Sequence, residues 1–309
     1  VSGPLDGLEE LVQGQLRASA PPAQRGVLLA GVHVWLYPLP KDPGPAAEDL
    51  ARLGVGGVIP QQGTAAVAWC RQHGRAFLER GLQVTVGLGA ITSKAILGGL
   101  EVPGASGVMI DWEGAWDASG GRRRAAAIAD EVLARRADAP ELVADCPWWA
   151  PLTTPNRHPS HPSAPTREFG RIVRRRFVQA YGANAGSEDG HSARMLAWAR
   201  DPSQYTSVGS WAVRPALQMY RRSVADHLAL LLGELAGGAV CLWQHGEMDR
   251  ECRLALEVVR ELGARGCTGP DAVRRFQAGA GLVVDGLVGP RTCAALGLTV
   301  PPGVCWRRP

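Results

Sequence analysis

The sequence predicts an α/β fold: a (β/α)8 barrel of the TIM type followed by a small all-α module. Three observations carry that reading. Short apolar runs alternate with amphipathic helical stretches over roughly 235 residues, the size and rhythm of a single closed parallel barrel. No Gly-rich phosphate loop follows the first run, as a doubly wound dinucleotide fold would require. From Ala272 the pattern changes to two short helical stretches around an Asp285-Gly286 turn.

Residues 1–25 are read as an N-terminal helical extension. Its stretch "LDGLEELVQGQLRA" is amphipathic and carries charges, so no secretory signal is expected there. The barrel is expected over 26–263 and the module over 264–309. The first strand, Gly31–Tyr37, opens with "GVHVW" and stops before proline. Gly56–Gln61 and Leu82–Leu88 follow, with a helix over Ala65–Arg80 between them. Gly107–Glu113 ("GVMIDWE") is the fourth strand, and a helix over Arg122–Arg136 leads to the fifth, Glu141–Cys146. The segment Pro147–Pro165 holds too many prolines for regular structure. Its adjacent Trp148 and Trp149 make it a candidate binding wall. Phe177–Tyr181, Tyr205–Trp211 and Ala239–Gln244 complete the strands, with helices over Arg221–Leu235 and Arg250–Gly263.

Composition narrows the class. With 46% apolar and 20% charged residues in 309, the chain is globular, and its apolar runs are too short to cross a bilayer. The net charge of +4 lies entirely beyond Ala264, where six arginines face Asp271 and Asp285. Such a tail suits an anionic polymer or is a solvated face. Seven cysteines without paired spacing give no disulfide framework. Cys146 and Cys241 fall in strands as buried thiols, while Cys267, Cys293 and Cys305 are close enough in sequence to pair in the tail. The seven histidines form no metal-ligand pattern, and the prolines of "HPSHP" prevent a helix from aligning His158 with His161. No metal and no cofactor is expected. The absence of a G-x-S-x-G elbow argues against an ordinary serine hydrolase.

Alternation along strands places the chemistry. Asp111 and Glu113 are two apart on strand four and share a face, with Met109 below them in the barrel interior. The same count pairs His33 with Trp35 and Gln179 with Tyr181. It sets Asp145 and Trp243 at the ends of strands five and eight. Polar groups at several strand ends are what a barrel active site needs. Two acids beside a Trp-lined cleft point to glycoside hydrolysis, in which one acid is held protonated. Lifting Glu113 by about 2 pH units would take roughly 2.7 kcal/mol. The alternative is that both acids merely pair with surface arginines.

At these residues a resemblance is visible. "GVMIDWE" resembles the fourth-strand D-G-x-D-x-D-x-E of family 18 chitinase-like hydrolases, keeping Asp111 and Glu113 but having Ser106 and Met109 at the first two acids. It is also similar to the D-x-E of family 25 muramidases. "GVHVW" and "CLWQHG" look like that family's first- and eighth-strand segments, with His33 where its first-strand Asp stands. The resemblance implies Glu113 as general acid and Asp111 orienting a substrate acetamido group. Tyr181 would bond the acetamido carbonyl and Trp243 would floor the reacting sugar. Asp145, His33, Gln179, Trp35, Trp148 and Trp149 are further substrate-binding candidates.

"AVRRFQAGAGLVVDGLVGPRTCAALG" (Ala272–Gly297) resembles the peptidoglycan-binding repeat of cell-wall hydrolases, with Cys293 where Trp is common. Together these imply a monomeric peptidoglycan glycosidase, of muramidase or N-acetylglucosaminidase type. It would act at the cell wall as a secreted or released enzyme, such as a phage endolysin, with no nucleic-acid partner and no membrane insertion. The rival is a catalytically inactive barrel that binds cell wall or chitin.

Overall fold

The computed structural model describes residues 27–112, 120–147, 168–173, 175–179, 212–218, 223–235, 240–243 and 245–306. A 3-10 turn over Val27–Gly31 leads into β1 (Val32–Leu36). Then come α1 (Gly44–Leu53), β2 (Gly57–Pro60), α2 (Ala65–His73), α3 (Arg75–Leu78) and β3 (Gln83–Leu88). After α4 (Ser93–Leu100), β4 spans Gly107–Trp112, followed by α5 (Gly121–Arg135), α6 (Ala139–Leu142) and β5 (Val143–Pro147). β6 (Arg175–Gln179), β7 (Ala212–Gln218), α7 (Val224–Leu235) and β8 (Val240–Trp243) complete the sheet. The chain then forms α8 (Arg250–Ala264), α9 (Ala272–Gly279) and α10 (Pro290–Leu296).

All strand pairs are parallel and follow chain order, and β1 pairs with β8 to close the sheet. Most of the chain between β5 and β6, and between β6 and β7, lies outside the described residues. The architecture is α/β with a parallel curled sheet wrapped by helices.

Two layers of burial hold it together. Inside the barrel, Trp35, Ile59, Met109, Phe177 and Cys241 pack on one another at 4% exposure or less. Between strands and helices lies a larger core, in which Val34, Val58, Val86, Val108 and Ile110 face α-helical partners such as Leu50, Ile96 and Val132. Each such side chain is worth about 1.5–3 kcal/mol when fully withdrawn from water. Alternation of valine and isoleucine with interior residues therefore sets which face of each strand looks inward.

Helix ends follow local chemistry. Thr92 caps α4 by accepting from Ala95 N at 3.1 Å, and Asp249 caps α8 by accepting from Cys252 N at 2.8 Å. The helix expected over Ala65–Arg80 is interrupted at Gly74, giving α2 and α3. The seventh strand is displaced from its expected place. It spans Ala212–Gln218, whereas Tyr205–Trp211 lie outside the described residues. Pro215 explains the miss, because a proline within a run ordinarily demotes it from a central strand.

β4 enters the sheet through a tight contact. A Cβ on Gly107 would stand 2.1 Å from the Leu142 carbonyl oxygen, so only glycine allows the β5 entry to pack this close. Beyond the barrel, α9 and α10 share the outer core with α8, through Val273, Phe276, Cys293 and Leu296. The C-terminal chain then returns to α7. Val224 N donates to Cys305 O at 3.0 Å, Ala225 N to Trp306 O at 3.2 Å, and Arg250 Nη1 to Pro302 O at 2.8 Å.

Candidate active site

Asp111 is the penultimate residue of β4, at the C-terminal end of the barrel. β4 runs Met109, Ile110, Asp111, and the alternation that buries Met109 in the interior returns Asp111 to that face two residues higher. Its side chain is 6% exposed. A buried carboxylate needs donors, and Gln61 supplies one: its Nε2 donates to Asp111 Oδ2 at 2.6 Å. Gln61 follows directly on β2 and is itself 7% exposed. With its amide nitrogen turned to the acid, Gln61 Oε1 is buried with no hydrogen-bond partner among the described residues. Such an orphan costs about 1–3 kcal/mol, so it marks a place where a ligand donor would be welcome.

The electrostatics of the interior agree with this placement. Burial pushes the Cys241 thiol well above its ordinary pKa, and the Asp111 charge pushes it further the same way. Cys241 is thus a buried neutral thiol beneath the acid, unsuited to act as a nucleophile. Among the described residues no group of His, Cys, Asp and Glu could hold a metal ion. Among the described residues Cys70, Cys241, Cys252, Cys267 and Cys293 are free thiols. The same residues include no helix long and apolar enough to cross a membrane.

The structure sorts the other candidates by register, since partners across a parallel pair face the same side. Trp243 ends β8 opposite Gln218, in step with interior Cys241. Gln179 ends β6 opposite Ala216, in step with interior Phe177. Both positions therefore stand in the interior row at the mouth, with their side chains outside the described residues. Glu113, Tyr181, Trp148 and Trp149 lie outside the described residues altogether.

Three expectations need correction in place. Asp145 stands opposite Ile110, whose side chain belongs to the outer core; Cys146 is the residue opposite Asp111. β5 takes its phase from Ala144, which packs on the interior layer, and this shifts the acid out of the mouth's row. Trp35 is fully buried in the barrel's middle layer and is a packing residue, closed to any substrate. His33 lies near the start of β1, opposite Gly57 and Cys241, at the end of the barrel away from Asp111. Its Nε2 is 3.3 Å from Gln83 Oε1, so the Nε2–H tautomer donates to that oxygen. Burial lowers the His33 pKa; the bond to Gln83 and the nearby Gly31 backbone offset part of this, and the Arg175 charge lowers it further.

Gln61 was missed, although a signal existed. Ile59 is interior, and counting two onward from it reaches Gln61 at the mouth, the same count that gave Asp111. His245, next to the eighth strand's end, is held by α1 and α8 contacts: its Nε2 is 3.0 Å from Asp49 Oδ2, which also accepts from Arg253.

No protein-family model matches this chain, and no curated protein matches it. Among solved structures it is similar to the spore cortex-lytic enzyme SleL of Bacillus megaterium QM B1551, with 11% identity and a TM-score of 0.49 over 77% of this chain and 75% of that one. It is also similar to dihydrodipicolinate synthase of Oceanobacillus iheyensis (12% identity, TM-score 0.37, covering 88% and 95%). The Bacillus clausii enzyme of that name compares likewise (12%, 0.38, 87% and 96%). Likenesses this loose say nothing of chemistry, and the fold rests on the chain's own strand pairing.

Proposed function

We propose that this chain is a glycoside hydrolase acting on the N-acetylated glycan strands of bacterial cell wall, as a muramidase or an N-acetylglucosaminidase. The observation that carries the reading is the buried Asp111–Gln61 pair at the C-terminal end of a parallel barrel, with an orphaned amide oxygen beside it. Glu113 follows two residues later in sequence and is assigned the general acid's role. Asp111 orients the acetamido nitrogen of the substrate, so that the acetamido oxygen can attack the anomeric carbon as Glu113 protonates the leaving oxygen. The position of Trp243 at the mouth suits the floor of a sugar subsite, and Gln179 stands in the same row. The fold assigned is a (β/α)8 barrel, and α9–α10 with their arginines are assigned to wall attachment. The protein would work as a monomer at the wall, secreted or released, as a phage endolysin is.

A second reading has one observation in its favour. β1 brings no carboxylate into the barrel interior, where its inward positions are His33 and Trp35. A barrel that binds wall glycan without cutting it would need none.

Digestion of purified peptidoglycan by the wild type and by Glu113→Gln, followed by borohydride reduction and mass spectrometry, separates the two. New reduced muramic acid ends that vanish in the variant identify a muramidase, and reduced glucosamine ends a glucosaminidase. If the wild type forms no new reducing ends, the glycosidase reading is lost and the binding reading stands.

A further inference from the structure

The opposite end of the barrel holds a cavity of about 160 Å³, bounded by the starts of β1, β3, β4 and β6 and the approach to β5. We propose that it binds a small aliphatic monocarboxylate, with Arg175 taking the carboxylate and Ile59, Met109 and Phe177 taking the short apolar tail. This site is separate from Asp111 and does not rest on the glycosidase reading.

The base of a parallel barrel is ordinarily filled with apolar side chains for stability. Here the layer below Met109 is instead polar: His33, Gln83, Thr85 and Ser106 line one wall. His33 is 8% exposed, a costly place for an imidazole unless hydrogen bonds hold it. Several of these polar groups are engaged with one another. Ser106 Oγ donates to Val84 O at 3.1 Å, so the Thr85 hydroxyl, 3.0 Å away, donates to Ser106 Oγ. Gln83 Oε1 accepts from His33 at 3.3 Å.

Charge decides the ligand. Arg175, at the first position of β6, is exposed at the cavity's rim. Its positive charge is felt at His33 and, with burial, keeps that ring neutral, so Arg175 is the one cation among the described residues that line the cavity. Glu141 stands at the same rim and would repel a second carboxylate. The floor formed by Ile59, Met109 and Phe177 is buried and apolar. The volume is close to that of an engineered cavity of about 150 Å³ that accepts benzene, so a ligand of about six non-hydrogen atoms fits.

Butyrate titrated into the full chain, followed by ligand-observed NMR, tests this. We expect saturable binding in the millimolar range, at least about tenfold weaker binding of succinate and none of n-butylamine. Arg175→Gln should weaken butyrate at least about tenfold and Arg175→Lys should recover part of the loss. Ala144→Val, which narrows the cavity beside Arg175, should weaken it as well. The proposal is overturned if butyrate does not saturate by about 50 mM, if n-butylamine binds equally, or if a folded Arg175→Gln binds as the wild type does.

Discussion

At the scale of single residues, the Asp111–Gln61 pair joins two strands that are not neighbours in the sheet, since β3 runs between β2 and β4. Gly87 and Gly89 on that intervening path leave the room: a Cβ on Gly87 would come within 2.8 Å of Gln61 Cβ. Gln61 is thus a positioning residue for the acid. If Asp111 orients substrate, Gln61→Met should lower kcat for wall digestion about 10–100-fold with little change in KM, reflecting loss of one hydrogen bond to a charged group. Steady-state kinetics on soluble glycan fragments would read this; an unchanged kcat removes Asp111 from the mechanism. His33 makes a prediction of the other sign. Its pKa is lowered in the folded state, so near and below pH 6.5 the unfolded chain binds a proton that the folded chain refuses. The stability present above that window is lost as pH falls through it. Thermal midpoints measured from pH 7.5 to 5 should fall, and His33→Gln should flatten the slope.

Elements were legible to different depths for physical reasons. Asp111's face followed from strict alternation on a strand whose outward residues are apolar, and the interior place of Met109 followed with it. Asp145 escaped because β5 offers only Ala144 and Val143 to fix its phase, and one residue of slip exchanges the two faces. His33 escaped differently: alternation gives the face of a side chain but not its height in the barrel, which depends on how neighbouring strands are staggered. In the tail, the sequence pattern has a structural meaning of its own. Gln277 is 2% exposed and ties α9 to the following turn: its Nε2 donates to Asp285 Oδ1 and to Leu287 O, each at 2.8 Å, and its Oε1 accepts from Gly286 N at 2.8 Å. Gly286 adopts φ +77°, a left-handed conformation that favours glycine. The F-Q and D-G pieces of the pattern are therefore one clamp. Gln277→Ala should destabilise α9–α10 by about 1–2 kcal/mol, because it removes three hydrogen bonds made by one buried amide. Faster amide exchange across Ala272–Leu296, by more than any change in the barrel amides, would be the signature.

At the scale of the whole molecule, α8 serves two neighbours. One side packs against α7 and α1, and α9 and α10 rest on the same helix. Residues 302–306 add bonds to α7 and α8. Removing residues 265–309 should therefore lower the melting temperature of the barrel itself by about 5–10 °C, the shift expected from losing about 2–4 kcal/mol. Calorimetry on the full chain should show one transition, and a second resolved transition for the tail would contradict this.

Closure of the sheet also governs how the chain is made. β1 finds its second partner only in β8, and Asp49 on α1 waits for Arg253 on α8, 204 residues later. At synthesis rates of about 5–20 residues per second, β1 spends on the order of 10–40 s with one edge unpaired. An open strand edge of this kind invites pairing with another chain. The helix that latches the barrel is thus the last barrel element to leave the ribosome, and yield in the cell should depend on translation speed and chaperone supply more than on equilibrium stability.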